Sequence, residues 1–235
     1  MTGHRAIGPA GQQVRKILVS WSTGKDSAWM LHMINREHPG AAAGLLTTTN
    51  EAFDRVAMHA VRRELLEAQA EAAGLPLHVV PLPWPCSNAQ YESIMKTAIA
   101  GFVADGFTHV AFGDLFLEDV RRYREDRLAG SGLEPLFPIW KTKPTADLAH
   151  DMIEAGLQAR LTCIDPRKLD RSFAGRAFDA QLLNDLPAGI DPCGENGEFH
   201  SFACGGPMFT EGIGVRVGDV VDRAGFVFAD LMLSP

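Results

Sequence analysis

Four times before residue 120, a short apolar run gives way to a helical pattern. Residues 16–22 (KILVSWS) read as a buried strand that stops at Thr23-Gly24. Residues 26–36 then set Ala28, Trp29, Leu31, Met33 and Ile34 on a helical surface that ends at His38-Pro39-Gly40. Residues 42–49 (AAGLLTTT) predict a second strand. Residues 56–73 predict a helix with Val61, Leu65, Ala68 and Ala72 on one face and Gly74 just past its end. A strand over 77–82, a helix over 91–105, a strand over 109–112 closed by Gly113-Asp114 and a charged helix over 118–129 complete the series. Strands separated by helices pair in parallel, and a parallel sheet needs helices on both faces. The expected fold class is therefore α/β, a Rossmann-like parallel sheet with helices on both faces. Such sheets bind ligands outside the carboxyl ends of their strands.

Beyond this series the pattern loosens. A helix over 145–155 and a strand over 159–164 are followed, from Asp191, by a stretch rich in Gly and Phe with β segments over 199–204, 213–217 and 226–233. The expected organisation is a loose polar tail at 1–14, the α/β unit at 15–119 and a smaller α+β domain at 120–235. Hydrophobic residues make up 46% and charged residues 22% of the 235, ordinary globular proportions that exclude disorder and fibrous repeats. With 22 Lys and Arg against 29 Asp and Glu, the net charge of -7 lacks the basic footprint of a nucleic-acid binder. Cys86, Cys163, Cys193 and Cys204 form no C-x-x-C pair and read as reduced structural thiols of a cytoplasmic protein. No run approaches the roughly 18 apolar residues of a membrane span, and residues 1–15 lack the apolar core of a signal peptide.

Between the first strand and the first helix lies Ser20-Trp21-Ser22-Thr23-Gly24-Lys25-Asp26-Ser27. At a helix start, free backbone N–H groups and the helix dipole converge and attract anions. Gly24 lets the backbone approach a phosphate, Ser22, Thr23 and Ser27 offer hydroxyls, and Lys25 adds positive charge. Asp26 can hold a metal that bridges phosphate oxygens. The Walker pattern G-x-x-x-x-G-K-[ST] is excluded because Asp26, not a hydroxyl residue, follows the lysine. An ordinary capped helix start is the plainer reading of these residues.

Two further clusters carry charge. Gly113-Asp114 is followed by Arg121, Arg122, Arg124, Glu125 and Arg127, which read either as a solvated helix face or as guanidinium groups that neutralise phosphate. Residues 189–202 gather Asp191, Cys193, Glu195, Asn196, Glu198 and His200 in a glycine-rich stretch, where Asn196-Gly197 also fits the tip of a β-hairpin.

The first cluster closely resembles the S-G-G-x-D-S loop of the N-type ATP pyrophosphatases, which are adenine nucleotide alpha hydrolase-like, with Thr23 in place of the first glycine. In that superfamily the loop holds the β and γ phosphates as a unit that leaves as pyrophosphate. All three clusters, in this order, resemble the diphthine-ammonia ligase family, related to diphthamide synthesis. The likeness runs from about residue 16 to residue 209 and rests on residues 65–76 (LLEAQAEAAGLP), 112–125 (FGDLFLEDVRRYRE), Pro138-Ile139-Trp140 and 195–200 (ENGEFH). It implies ATP at Ser20, Ser22, Thr23, Gly24, Lys25, Asp26 and Ser27, with Gly113 and Asp114 beside the nucleotide and Mg2+ at Asp26. It also implies an acceptor cleft lined by Glu195, Asn196, Gly197, Glu198 and His200.

The implied reaction activates a carboxylate as an acyl-adenylate, releases pyrophosphate, and lets ammonia displace AMP to form an amide. Lys25, Arg121 and Arg124 would screen charge. Glu195 or Glu198 would hold ammonium and take its proton, with His200 in the same cleft. The implied partners are ATP, ammonia and a carboxylate substrate, which in the family is the diphthine side chain of a translation elongation factor. Two other functions fit the phosphate loop alone. Enzymes that thiolate tRNA use a similar loop, but usually with catalytic cysteine pairs or a basic RNA-binding domain, and this sequence has neither. A non-catalytic ATP-binding module would have no need of the polar 189–202 segment.

Overall fold

The computed structural model describes residues 15–52, 55–56 and 61–234. In chain order the first unit reads β1 (Ile17–Ser20), α1 (Lys25–Glu37), β2 (Ala42–Asn50), β3 (Arg55–Val56), α2 (Arg63–Ala73), β4 (Leu77–Leu82), α3 (Asn88–Ala104), β5 (His109–Ala111), α4 (Glu118–Leu128) and β6 (Glu134–Leu136). Five strands pair in parallel in the order β4-β2-β1-β5-β6, and the short β3 runs antiparallel to the end of β2. Side chains of the central β1 alternate between two cores, as a sheet covered on both faces requires. Ile17 and Val19 pack with Leu31 of α1 and Leu65 of α2. Leu18, between them, packs on the other face with Phe102 of α3 and Leu128 of α4.

The second unit adds α5 (Thr145–Glu154), β7 (Gln158–Ile164), a 3-10 turn (Arg171–Phe173), α6 (Ala180–Asp185), β8 (Phe199–Gly205), β9 (Val215–Arg223) and β10 (Phe226–Leu233). Its four strands form an antiparallel sheet in the order β8-β7-β10-β9. The apolar core does not stop between the two sheets: Trp21, Ala28 and Leu31 share one cluster with Leu161, Phe199 and Phe202. Polar links cross there too, from Thr210 N–H to the Ala72 carbonyl at 2.7 Å and from Arg62 to Asp230 at 2.5 Å. No described helix is long and apolar enough to cross a membrane.

The departures from the sequence expectations include α6 and the 3-10 turn, which no pattern announced, and three further elements. The helix expected over 56–73 begins only at Arg63, because Arg62 is extended and Val56 belongs to β3; residues 57–60 lie outside the described residues. The fifth parallel strand, β6, was not expected, since three residues with Pro135 in the middle carry no alternation to recognise. Strand β9 runs to Arg223, well past the expected 213–217, across Gly218 and a register shift against β10.

Candidate active site

The phosphate-loop segment connects the carboxyl end of β1 to α1. Gly24 caps the helix in an ordinary extended conformation (φ -81°), and the left-handed conformation falls on Thr23 (φ 71°). That is the position at which the resembled loop carries its first glycine. Thr23 is fully buried, and its hydroxyl has no hydrogen-bond partner. At the mouth of the loop the hydroxyls of Ser22 and Ser27 lie 3.2 Å apart, and Gly24 N–H donates to Ser22 Oγ at 3.4 Å. Behind it, strand β8 is docked against the loop: Ala203 N–H donates to the Thr23 carbonyl at 2.9 Å, and Lys25 N–H to Ser201 Oγ at 3.2 Å.

Lys25 is 2% exposed, and its ammonium donates to both oxygens of Asp26 (2.9 and 2.8 Å) and to the Cys193 carbonyl (2.5 Å). Burial pulls its pKa down, but Asp26, Cys193 and Glu195 more than offset this, so the net shift is upward and Lys25 stays charged. The charge expected for phosphate therefore points toward the 189–202 segment and fastens it to the loop.

Gly113 lies so close to the first turn of α1 that a Cβ there would stand 3.2 Å from Asp26 C and O and from Ser27 N. Burial raises the pKa of neighbouring Asp114 against the opposing charge of Arg124, whose Nε is 3.6 Å from Asp114 Oδ2. Arg124 lies over the Phe112 ring and lines a cavity of about 400 Å3 at the carboxyl ends of β1, β2 and β4, within the size range of small-molecule sites. Ser20 and Ser22 line it as well. Arg121 does not; it pairs with Glu125 at 2.8 Å and lies over Phe137 and Trp140. Thr47, Thr48, Tyr91 and Phe112 also line the cavity and were not among the expected site residues. Three threonines at the carboxyl end of a buried strand were the available signal for the first two.

The 189–202 segment is brought against both of these regions. Leu115 N–H donates to Glu195 Oε1 at 2.9 Å. Burial is the main cause that pushes the Glu195 carboxyl up to about 7; that N–H and Lys25 oppose it, while Asp26 and Asp114 add to it. Asp191 organises the turn by accepting from Cys193 N–H (2.9 Å) and Glu195 N–H (3.3 Å). Asn196-Gly197 is not a hairpin tip, because no strand runs directly into it and β8 starts only at Phe199. Gly197 has φ 79°, and the Asn196 carbonyl accepts from Lys168 at 2.8 Å.

Glu198 is 2% exposed; its Oε1 accepts from Asp191 N–H and from Asn196 Nδ2, both at 3.3 Å, while Oε2 has no partner. His200, on β8, has its pKa lowered by burial and by Lys25 against the opposing charge of Asp26, which favours the neutral imidazole. Burial pushes the Cys163 and Cys193 thiols up to about 12, so neither is a thiolate at neutral pH. Among the described residues, no three His, Cys, Asp or Glu side chains gather closely enough to hold a metal unaided.

The diphthamide synthase N-terminal domain model matches residues 15–129, and the diphthamide synthase C-terminal domain model matches residues 144–226. Curated relatives include proteins named diphthine--ammonia ligase from Danio rerio, 28% identical over 232 residues (88% of this chain and 89% of that protein), and from Bos taurus, 25% identical over 230 residues (88% and 85%). The protein of that name from Homo sapiens is likewise 25% identical over 230 residues, with the same coverage as the bovine one.

Proposed function

The chain belongs to the diphthamide synthase family, both of whose domains it carries, and from that premise we propose that it is an ATP-dependent, AMP-forming amide ligase that activates a carboxylate as its adenylate and amidates it with ammonia. The observation that carries this reading is the hydrogen bond from Leu115 N–H to Glu195 Oε1. It ties a carboxyl that titrates near neutrality to the loop after β5, beside Asp114 and Asp26. A general base for ammonium works best with a pKa close to the operating pH, and it must sit where the adenylate forms, because an adenylate that waits for its nucleophile is hydrolysed.

In this reading the β and γ phosphates lie at the start of α1, met by its free N–H groups and by the Ser22 and Ser27 hydroxyls. The adenosine occupies the cavity beside Thr47, Thr48 and Phe112, and Arg124 brings positive charge to its edge. Asp26 would hold Mg2+, which would supply positive charge against the phosphates. Asp26 fits that role, since a carboxylate offers about four lone-pair sites and Lys25 takes one on each oxygen. A metal shared with the nucleotide also agrees with the lack, among the described residues, of a cluster able to hold one alone. Deprotonated Glu195 takes a proton from ammonium, and the neutral ammonia attacks the adenylate carbonyl. The relatives' name points to diphthine as the acid.

Glu195→Gln keeps the size of the side chain and the acceptor for Leu115 N–H but removes the base. The variant should bind ATP with parental affinity and form amide about 10²-fold more slowly. Amide formation at the parental rate, measured with a diphthine-bearing translation elongation factor, ATP, Mg2+ and ammonium, would remove Glu195 from the mechanism.

A further inference from the structure

Gln69 of α2 is completely buried, on the helix face that also carries Leu65, Leu66 and Ala72. An amide in such a place costs stability unless its hydrogen bonds are made. Here three are made, two to the loop between β1 and α1 and one to β8. Its Oε1 accepts from Trp21 Nε1 at 2.8 Å, and its Nε2 donates to the Thr23 carbonyl at 2.9 Å and to the Ala203 carbonyl at 2.7 Å. The orientation of the amide is fixed by its partners, since an indole N–H can only donate and a carbonyl can only accept. The Thr23 carbonyl thus receives two donors, one from α2 and one from Ala203 of β8.

A trans peptide is a rigid plane in which C=O and N–H point in opposite directions. With the Thr23 carbonyl held toward α2 and β8, Gly24 N–H must point the other way, and it does, to the side of Ser22 Oγ. Turning this plane over would change ψ of Thr23 and φ of Gly24 by about 180°, carrying Gly24 from -81° to a positive φ that glycine alone adopts freely. Gly24 therefore leaves the flipped loop open, with a carbonyl oxygen facing the anion site in place of a donor. We infer that Gln69 is a positioning residue that closes off that flip: by holding the Thr23 carbonyl it aims Gly24 N–H at the phosphates, and through Ala203 it couples the C-terminal sheet to the loop. This rests on the reading of residues 22–27 as the phosphate grip, which Gln69 itself never touches.

The test uses pyrophosphate with Mg2+ as the probe. In the 15N-labelled parent, the Gly24 amide resonance shifts as the site saturates. In Gln69→Glu, the carboxylate oxygen that replaces Nε2 faces two carbonyls, so pyrophosphate affinity relative to the parent falls at least about tenfold near pH 8 and recovers in part near pH 5.5, as the buried carboxyl takes up a proton and its one O–H donates to one of them. Comparing with the parent at each pH cancels the ligand's own titration, and Gln69→Leu, which cannot titrate, shows the loss at both. Binding by the parent that leaves the Gly24 amide unmoved overturns the inference, as does a Gln69→Glu deficit that is absent or flat with pH. No binding by the parent overturns the reading of the loop and this inference with it.

Discussion

Thr23 occupies a backbone region that β-branched residues avoid, and its buried hydroxyl makes no hydrogen bond. Replacing it with glycine relieves the conformation and breaks no bond, so Thr23→Gly should change stability by less than about 1 kcal/mol despite the buried position. The same change at Thr47, whose buried hydroxyl donates to the Trp21 carbonyl, should cost about 2 kcal/mol or more. Urea unfolding of the two variants checks the contrast. Glu195 gives a second residue-scale prediction. Its folded pKa of about 7 stands above the unfolded value of 4.5, so the folded protein binds the extra proton, and stability is lost as pH rises through that window. Glu195→Gln has no such loss, so its Tm should gain on the parent's between about pH 4.5 and pH 7 and level off above; a constant difference would contradict the shift. The sequence singled out Ser22, Lys25, Asp114 and Glu195 by type, because phosphate and ammonium chemistry would call for such groups, and the structure brings their segments together. Their directions were not legible there. Nothing in the string STGKDS says that Lys25 turns inward to Cys193, or that Arg121 lies on Phe137 and Trp140 while Arg124 lines the cavity, because those choices are made by residues distant in sequence.

At the scale of elements, the site depends on the approach of the loop after β5 to the first turn of α1. Gly113 permits that approach, and a Cβ there meets backbone atoms at 3.2 Å that cannot swing aside as a side chain would. Gly113→Ala should displace the start of α1, costing about 1 to 3 kcal/mol of stability and weakening ATP binding; calorimetric affinity equal to the parent's would show that the contact does not govern the loop. The alternation that announced the parallel sheet was readable because each buried strand is a continuous apolar run and each helix an apolar stripe. It failed where local pattern does not decide the state. β6 is a strand only because β5 offers it an edge, and the residues ahead of Arg63 have helical composition while Arg62 and Val56 are extended.

Across the whole molecule, two sheets of different topology share one core and meet at the loop of residues 22–27. Gln69 and Ala203 hold its back, while Lys25 and Leu115 hold the 189–202 segment to its front. In the proposed function that arrangement sets the cavity lined by Ser22 and Arg124 and the Glu195 carboxyl on the same loop, so that one site can form the adenylate and amidate it. In the sequence this union was visible only as three clusters in a set order, since their convergence depends on contacts between residues as far apart as Lys25 and Cys193. The most direct measurement follows the nucleotide and the acid together, by chromatography of nucleotides and mass spectrometry of a diphthine-bearing translation elongation factor incubated with the protein, ATP, Mg2+ and ammonium. The account predicts AMP and pyrophosphate in amounts equal to the amide formed, with no amide when ammonium is withheld. ADP and phosphate as the main products, or AMP released without any amide while acid and ammonium are both present, would contradict it.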